Sequence, residues 1–220
     1  MRERLRSSTR SGSWAVRNSR GCCPAKVATG KLHDAAEGVN QAECLGSTQR
    51  WLERAVIGLN LCPFAKAVYV KRQIRYAVTP AATAEELLSE LRHELELLRH
   101  ANPDEIDTTL LIHPQAMTDF IDFHFFVKEA DAALRNLGLE GTVQIAGFHP
   151  AYEFAGSNPG DIANYTNRSP YPTLHLLREA SIDRAVAAFP DAAAIYERNM
   201  ETLRRLGHEG WRRLWTAGPV

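Results

Sequence analysis

Two histidines stand in the same local setting, each directly after an apolar run and directly before a proline. His113 follows Thr108–Ile112, and His149 follows Thr142–Phe148. Both runs contain β-branched residues and are predicted to be strands that end at the histidine. Because the carboxyl ends of parallel strands share the edge where α/β folds bind ligands, both histidines are predicted to face one crevice as acid–base groups or metal ligands. The alternative is that each hydrogen-bonds locally while its proline sets the turn.

Cys62 is the second candidate for chemistry. Pro63 follows it, and the fixed φ of proline suits the first position of a helix, so Cys62 is predicted to be the N-cap of a second helix. The helix dipole and free N–H groups would lower the pKa of the thiol there, which is what a nucleophile or a metal ligand requires. The alternative is a small buried apolar residue between Leu61 and Phe64.

The stretch Asp161–His175 concentrates one acid, two amides, one arginine, two tyrosines and one histidine, and two prolines stiffen it. It belongs largely to a predicted loop, Tyr152–Pro172, and loops of this length are usually functional. Arg168 is suited to hold a carboxylate or phosphate through two hydrogen bonds. The alternative is a polar loop that uses its amides and prolines for turns. The predicted substrate-binding residues are Asn164, Asn167, Arg168, Tyr171 and His175.

Cofactor and metal content stay open. Three histidines, His113, His149 and His175, together with an acid such as Asp161, would suit zinc. The sequence has no HxxxH, HxH or CxxC spacing, no P-loop and no GxGxxG motif, so none of these signatures supports a metal or a nucleotide.

The elements that must position these residues alternate between helix and strand up to Phe148. The predicted strands are Gln73–Val78, Thr108–Ile112 and Thr142–Phe148. The predicted helices run from Ser47 or Thr48 to Asn60, from Thr83, with Glu86 completing a capping box, to His100, and from Met117 to Leu137, where Gly138 stops the helix. The crossover lengths favour right-handed parallel connections. The predicted fold is therefore α/β, with a small, mostly parallel sheet of about three strands flanked by helices.

A helical C-terminal part is predicted after the long loop, which itself holds one helical turn near Ile162. The predicted helix starts in this part are Thr173, Ser181 and Asp191, and the last helix is predicted to end at Gly207.

Charge divides the chain into two parts. Residues 1–31 carry eight basic groups and one acidic group, so the remaining residues carry 18 basic and 25 acidic groups. Residues 1–45 also lack apolar periodicity and are predicted to be a disordered basic extension, with residues 46–220 as a single α/β domain. The acidic character of the folded part argues against nucleic acid as its partner.

The setting is predicted from cysteine use and hydropathy. The four cysteines show no paired spacing, and no apolar run approaches the roughly 18–20 residues that span a bilayer. We therefore expect a cytoplasmic protein with free thiols and no membrane partner. The sequence does not indicate an oligomeric state.

Several strings together resemble a known family. They are Trp51–Lys66, Leu111–Pro114, Phe148–Pro150, Phe154–Gly156 and Asn164–Glu179. In the same order they resemble a bacterial family known as domain of unknown function 1415, over about Thr48 to Trp211. The resemblance supports the boundary after the basic extension and implies no established activity.

The leading hypothesis from the sequence is an enzyme that acts on a small anionic substrate. Cys62 would be its nucleophile or ligand, His113 and His149 its acid–base groups, and Arg168 its anion contact. One alternative is a non-catalytic module that binds a small ligand or a protein. A third is a structural protein in which these residues merely hold a long loop in place.

Overall fold

A computed structural model describes residues 40–187 and 194–216 of the chain. Within these residues lies one four-stranded sheet, formed by β1 (Ile74–Val78), β2 (Thr108–Ile112), β3 (Val143–Phe148) and β4 (Thr173–Arg178) in the order β1-β2-β4-β3. β1 and β2 are parallel, whereas β4 is antiparallel to both β2 and β3. The α/β class is confirmed, but the sheet is mixed and has one strand more than the predicted three.

The additional strand is β4, where the sequence predicts that Thr173 caps a short helix. That prediction is wrong because pairing on both sides decides the conformation of this segment. Leu174 pairs with Leu111 of β2 and with Gly147 of β3. Two rows of backbone hydrogen bonds override the local preference of a leucine-rich sequence. β1, β2 and β3 still run in one direction, so the carboxyl ends of all three meet at one edge.

Two helices between strands match their predicted signals. α3 (Ala84–His100) begins at the capping box of Thr83 and Glu86. α4 (Phe120–Asn136) has Asp119 as its N-cap, and the chain leaves it through Gly138 at a φ of +67°. A residue with a Cβ adopts that conformation at a cost, which explains the stop at glycine.

The first helix begins earlier than predicted. α1 (Gln41–Trp51) has Asn40 as its N-cap and continues as a π-helix over Leu52–Ile57. It therefore includes residues 41–45, which the sequence assigns to the basic extension. The rest of that extension, residues 1–39, lies outside the described residues.

The C-terminal helices differ from the prediction in part. α5 (Glu179–Ala187) follows β4 directly, and Ser181 lies inside it rather than capping it. Within α6 (Ile195–Thr216), Gly207 has a non-helical φ of +67°, so the helix that starts at Ile195 ends there as predicted, and a further helical segment, which was not predicted, continues to Thr216. The helix start predicted at Asp191 lies outside the described residues. None of the helices that the structure describes is long and apolar enough to cross a membrane.

Each face of the sheet carries its own core, and strand alternation decides which residues join it. Leu111, Leu174 and Leu176 pack under α3 and α4. We call this side the α4 face. Ile74, Tyr76 and Phe148 point to the other side, where they pack with Trp51 of α1 and Leu203 of α6. We call that side the α6 face. Any side chain on the sheet therefore belongs to one of two separate environments.

Candidate functional site

His113 and His149 lie side by side on the α4 face, at the carboxyl ends of β2 and β3. The ring of Phe123 contacts both, with centroids 5.9 Å from His113 and 5.1 Å from His149. Their proximity follows from the parallel direction of β2 and β3. Both are buried, at 0% and 1% exposure, so they lie under α4 rather than in an open crevice.

The two histidines bind consecutive carbonyls of the segment that links β2 to α4. Nδ1 of His113 donates to the Ala116 carbonyl at 3.0 Å, and Nε2 of His149 donates to the Met117 carbonyl at 3.2 Å. Nδ1 of His149 accepts from the Ala151 N–H at 3.0 Å. Met117 has a φ of +53°, which a residue with a side chain rarely adopts without support from its surroundings. The histidines therefore hold this segment in place.

Burial keeps both imidazoles neutral. It lowers the pKa of His113 to about 4, and it lowers the pKa of His149 as well. Nε2 of His113 is buried and has no hydrogen-bond partner among the described residues. A neutral imidazole of this kind is a poor proton donor near neutral pH.

Cys62 lies elsewhere. α2 (Ala65–Val70) begins with Phe64 as its N-cap, so the predicted N-cap position of Cys62 is wrong. Burial raises the pKa of the Cys62 thiol, although the sulfur accepts hydrogen bonds from the N–H groups of Phe64 and Ala65, which act in the opposite direction. The predicted lowering is wrong because desolvation disfavours the thiolate more than these two bonds favour it. Cys62 packs on the α6 face, across the sheet from His113 and His149.

Arg168 binds its own loop. Its Nε donates to the Tyr152 carbonyl at 3.1 Å and its Nη2 to the Pro159 carbonyl at 2.8 Å. The guanidinium lies over the ring of Tyr165, 4.4 Å from the centroid. Two donors of Arg168, which the sequence predicts to bind an anion, are thus bound to backbone carbonyls.

Asn164 is the centre of the same loop and is fully buried. Its Oδ1 accepts from the N–H of Phe154 at 3.0 Å and from Oγ of Ser157 at 2.8 Å, and its Nδ2 donates to the Asn158 carbonyl at 2.9 Å. These three bonds tie the two arms of the loop together beside the 3₁₀ turn Ile162–Thr166, which confirms the turn predicted near Ile162.

The remaining predicted residues are dispersed. The Asn167 carbonyl accepts from the His149 N–H at 3.2 Å. Tyr171 contacts α1, and burial, with a hydrogen bond to Cys44, raises the pKa of its hydroxyl. His175 lies in β4 on the α6 face, where its Nε2 donates to Oγ of Thr108 at 2.7 Å, and burial lowers its pKa to about 4. Since His175 lies across the sheet from the other two histidines, the proposed zinc set is not assembled. The described residues form no group of three or more potential metal ligands.

The α6 side of the domain carries a cleft of about 500 Å³ between the turn Gly58–Pro63 and α6. Charged side chains from one face of α6 line it, namely Arg198, Glu201 and Arg205. None of the residues predicted from the sequence is among the described residues that line the cleft. Cys62 is the nearest of them along the chain, since its neighbour Pro63 is part of the lining.

The wall opposite α6 has irregular backbone. The π-helix ends at Gly58, where a Cβ would collide with the Arg54 carbonyl. Asn60 follows with a φ of +54°. Nδ2 of Asn199 donates to the Leu61 carbonyl at 2.7 Å and fixes α6 against this wall. Short π-helices, and positive φ values at residues other than glycine, cost conformational free energy and are found frequently at functional sites.

The model of one protein family matches residues 43–213. The chain belongs to the DUF1415 family. The description of the family is a protein of unknown function, so it brings no activity to the chain. The comparisons with curated proteins and with solved structures gave no match. The resemblance seen in the sequence is thus confirmed, and the matched range includes both walls of the cleft and both buried histidines.

Sequence reasoning missed the charged residues of the cleft in this DUF1415 chain. Arg198, Glu201 and Arg205 are spaced at i, i+3 and i+7, which places them on one side of a helix. That spacing is visible in the sequence, but a solvated helix surface shows the same pattern. Only the position of α6 beside the Gly58–Pro63 turn shows that these charges line a cleft rather than an ordinary solvated helix surface.

Proposed function

We propose that this protein binds a small anionic molecule in the cleft between the Gly58–Pro63 turn and α6. The observation that carries the proposal is that Arg198 and Arg205 line one cleft beside a strained wall. A guanidinium offers a planar pair of donors that matches a carboxylate or a phosphate. The volume of about 500 Å³ is in the usual range for small-molecule sites.

The residues predicted from the sequence support binding less well. Two of the donors of Arg168 are used by carbonyls of its own loop, at 3.1 and 2.8 Å. Nε of Arg198 also donates to a carbonyl, that of Ala194, at the longer distance of 3.4 Å. His113 and His149 are buried on the α4 face. The proposal therefore keeps the small anionic ligand expected from the sequence and moves its contacts to α6.

The proposed setting is the cytoplasm, with a small molecule as the ligand. The free thiols of Cys44 and Cys62 are in keeping with a reducing compartment. Nucleic acid is not proposed as the ligand because residues 32–220 carry 18 basic and 25 acidic groups.

The test is an NMR titration of the labelled full chain with inorganic phosphate and with glutarate. We expect saturable shifts in the amides of residues 58–63 and 198–205. Arg205→Gln and Arg198→Gln should each weaken binding by about tenfold, the effect of losing a charge-assisted hydrogen bond. Arg204→Gln, an exposed neighbour that does not line the cleft, is the matched control and should bind as the wild type does. Absence of shifts with both probes, or equal loss in all three variants, would overturn the proposal.

An enzyme is the second candidate, and the position of Cys62 favours it. Its sulfur accepts hydrogen bonds from the backbone N–H groups of Phe64 and Ala65, and the adjacent Pro63 lines the cleft. The thiol would release its proton to solvent, and its sulfur would bond to an electrophilic carbon of the ligand as a leaving group departs with the electron pair. The raised pKa of the resting thiol argues against this mechanism.

Alkylation by iodoacetamide as a function of pH separates the two candidates, with Cys62→Ser as the reference for the other thiols. If the protein only binds its ligand, we expect Cys62 to react only after denaturation and the Cys62→Ser variant to bind phosphate and glutarate normally. A Cys62 that reacts near neutral pH with a depressed pKa would favour the enzyme.

A further inference from the structure

We propose that the cleft takes an acidic amino acid, with its ammonium paired to Glu201 and its two carboxylates paired to Arg198 and Arg205. This inference rests on the proposed function and names its ligand class. It goes further because it assigns a role to Glu201, the one carboxylate among the described residues that line the cleft, which a simple anion site does not use.

The charges of the cleft alternate along one side of α6. Arg198, Glu201 and Arg205 all line it, in the order positive, negative, positive. Seven residues of α-helix span about 10 Å, and this spacing keeps all three on the same face. A ligand that complements the row needs a cationic group between two anionic groups. An amino acid with a side-chain carboxylate has that arrangement.

Glu201 is available for such a ligand. Its side chain is exposed, and no ion pair within 4 Å joins it to Arg198 or Arg205 among the described residues. A purely anionic ligand would meet repulsion from this carboxylate, whereas an ammonium at the same place would be attracted to it. The row thus favours a ligand with both signs of charge over a dicarboxylate of the same length.

The rest of the lining suits the uncharged parts of an amino acid. Leu59, Pro63 and Ile195 give the cleft an apolar part against which a methylene chain can pack. Thr202 and Asn60 offer polar side chains without charge. The cleft therefore has apolar side chains, neutral polar side chains and charged side chains of both signs close together, as specific sites for small polar ligands do.

The experiment compares each acidic amino acid with the same molecule lacking one group. L-Glutamate and L-aspartate are titrated into the full chain by NMR or calorimetry. Their partners without the ammonium are glutarate and succinate, and their partners without the α-carboxylate are 4-aminobutyrate and 3-aminopropionate. We expect at least one of the two amino acids to bind about tenfold more tightly than both matched partners. N-Acetyl-L-glutamate, whose nitrogen is uncharged, should bind like glutarate.

The variant that isolates the inference is Glu201→Gln. It should abolish the preference for L-glutamate over glutarate while glutarate binding stays equal or improves, because the repulsion is removed. Glu197→Gln, an exposed acid on the same helix that does not line the cleft, should keep the preference. If glutarate binds as tightly as L-glutamate to the wild type, the amino-acid inference is overturned and the anion site remains. If neither phosphate, glutarate nor either amino acid binds, both proposals fail.

Discussion

Two regions of the molecule, one on each face of the sheet, hold their polar groups in opposite states. On the α4 face, His113 and His149 are buried and bound to carbonyls of their own chain. On the α6 face, Glu201 and Arg205 are exposed at a cleft, and neither forms an ion pair within the described residues. A buried polar group that loses its partner costs roughly 1–3 kcal/mol, whereas an exposed one exchanges its partner with water at little cost. The first region is therefore expected to govern stability and the second to govern ligand affinity.

The largest expected effect comes from His113→Ala. The change removes the stacking on Phe123 and leaves the Ala116 carbonyl without its donor, so the free energy of unfolding should fall by about 3 kcal/mol. Urea denaturation followed by circular dichroism at pH 7 measures it. His124→Ala, an exposed histidine of α4, is the control and should change stability by less than about 0.5 kcal/mol. A His113→Ala protein of unchanged stability that no longer binds ligand would reverse the comparison between the two faces.

The second-largest expected effect is a loss of unfolding free energy at acidic pH, caused by the buried histidines of the α4 face. Burial lowers the pKa of His113 from 6.5 to about 4, so the unfolded chain takes up the proton first as the pH falls. The stabilising contribution is complete above the unfolded pKa and is lost between pH 6.5 and about 4. Between pH 7 and pH 5 this amounts to about 2 kcal/mol of unfolding free energy.

The histidine responsible can be isolated by comparison with His113→Gln. Burial also lowers the pKa values of His149 and His175, so these two histidines will retain part of the pH dependence in that variant. We therefore expect a shallower slope of stability against pH and not a flat one. Identical slopes for the wild type and His113→Gln, measured by urea denaturation between pH 5 and pH 7, would contradict the assignment.

The parts of the fold that the sequence predicts well are those that local signals determine. The capping box of Thr83 and Glu86 marks the start of α3, and Gly138 marks the end of α4 because of its positive φ. β4 escaped prediction because its sequence, T-L-H-L-L-R, alternates between polar and apolar residues over only four positions, and the segment takes its conformation from strands on both sides. Pairing between distant segments leaves little trace in a window of six residues.

The candidate site divides in the same way. Two histidines at equivalent strand ends do lie together, because strand direction alone places them there. Whether each imidazole meets solvent or a carbonyl depends on the path of residues 114–119, which spacing does not encode. The charges of the cleft were missed for a related reason. Arg198 and Arg205 become part of a site only when α6 packs beside Gly58, and that contact joins segments far apart in the chain.

Gly58→Ala tests the wall of the cleft and is expected to have an intermediate effect. The new Cβ would collide with the Arg54 carbonyl, so the end of the π-helix must move. We expect a loss of about 1–2 kcal/mol in unfolding free energy together with weaker ligand binding. Gly46→Ala in α1 is the matched control. Its Cβ would make ordinary contact with Nη1 of Arg50, 3.7 Å away, and stability should rise by about 0.5 kcal/mol. Normal affinity in a Gly58→Ala protein would separate the irregular backbone from the ligand site.

Arg168→Lys has the smallest expected effect and decides between the loop and the cleft as the anion site. A lysine ammonium cannot reproduce the planar donors that reach the carbonyls of Tyr152 and Pro159, nor the stacking on Tyr165. It keeps the positive charge, however. The free energy of unfolding should therefore fall by about 1 kcal/mol, and the affinity for glutarate should not change. The opposite pattern, unchanged stability with lost affinity, would place the anion at Arg168 after all. In that case its bonds to the two carbonyls would have to give way when the ligand binds, and the loop would become the part of the molecule that exchanges partners.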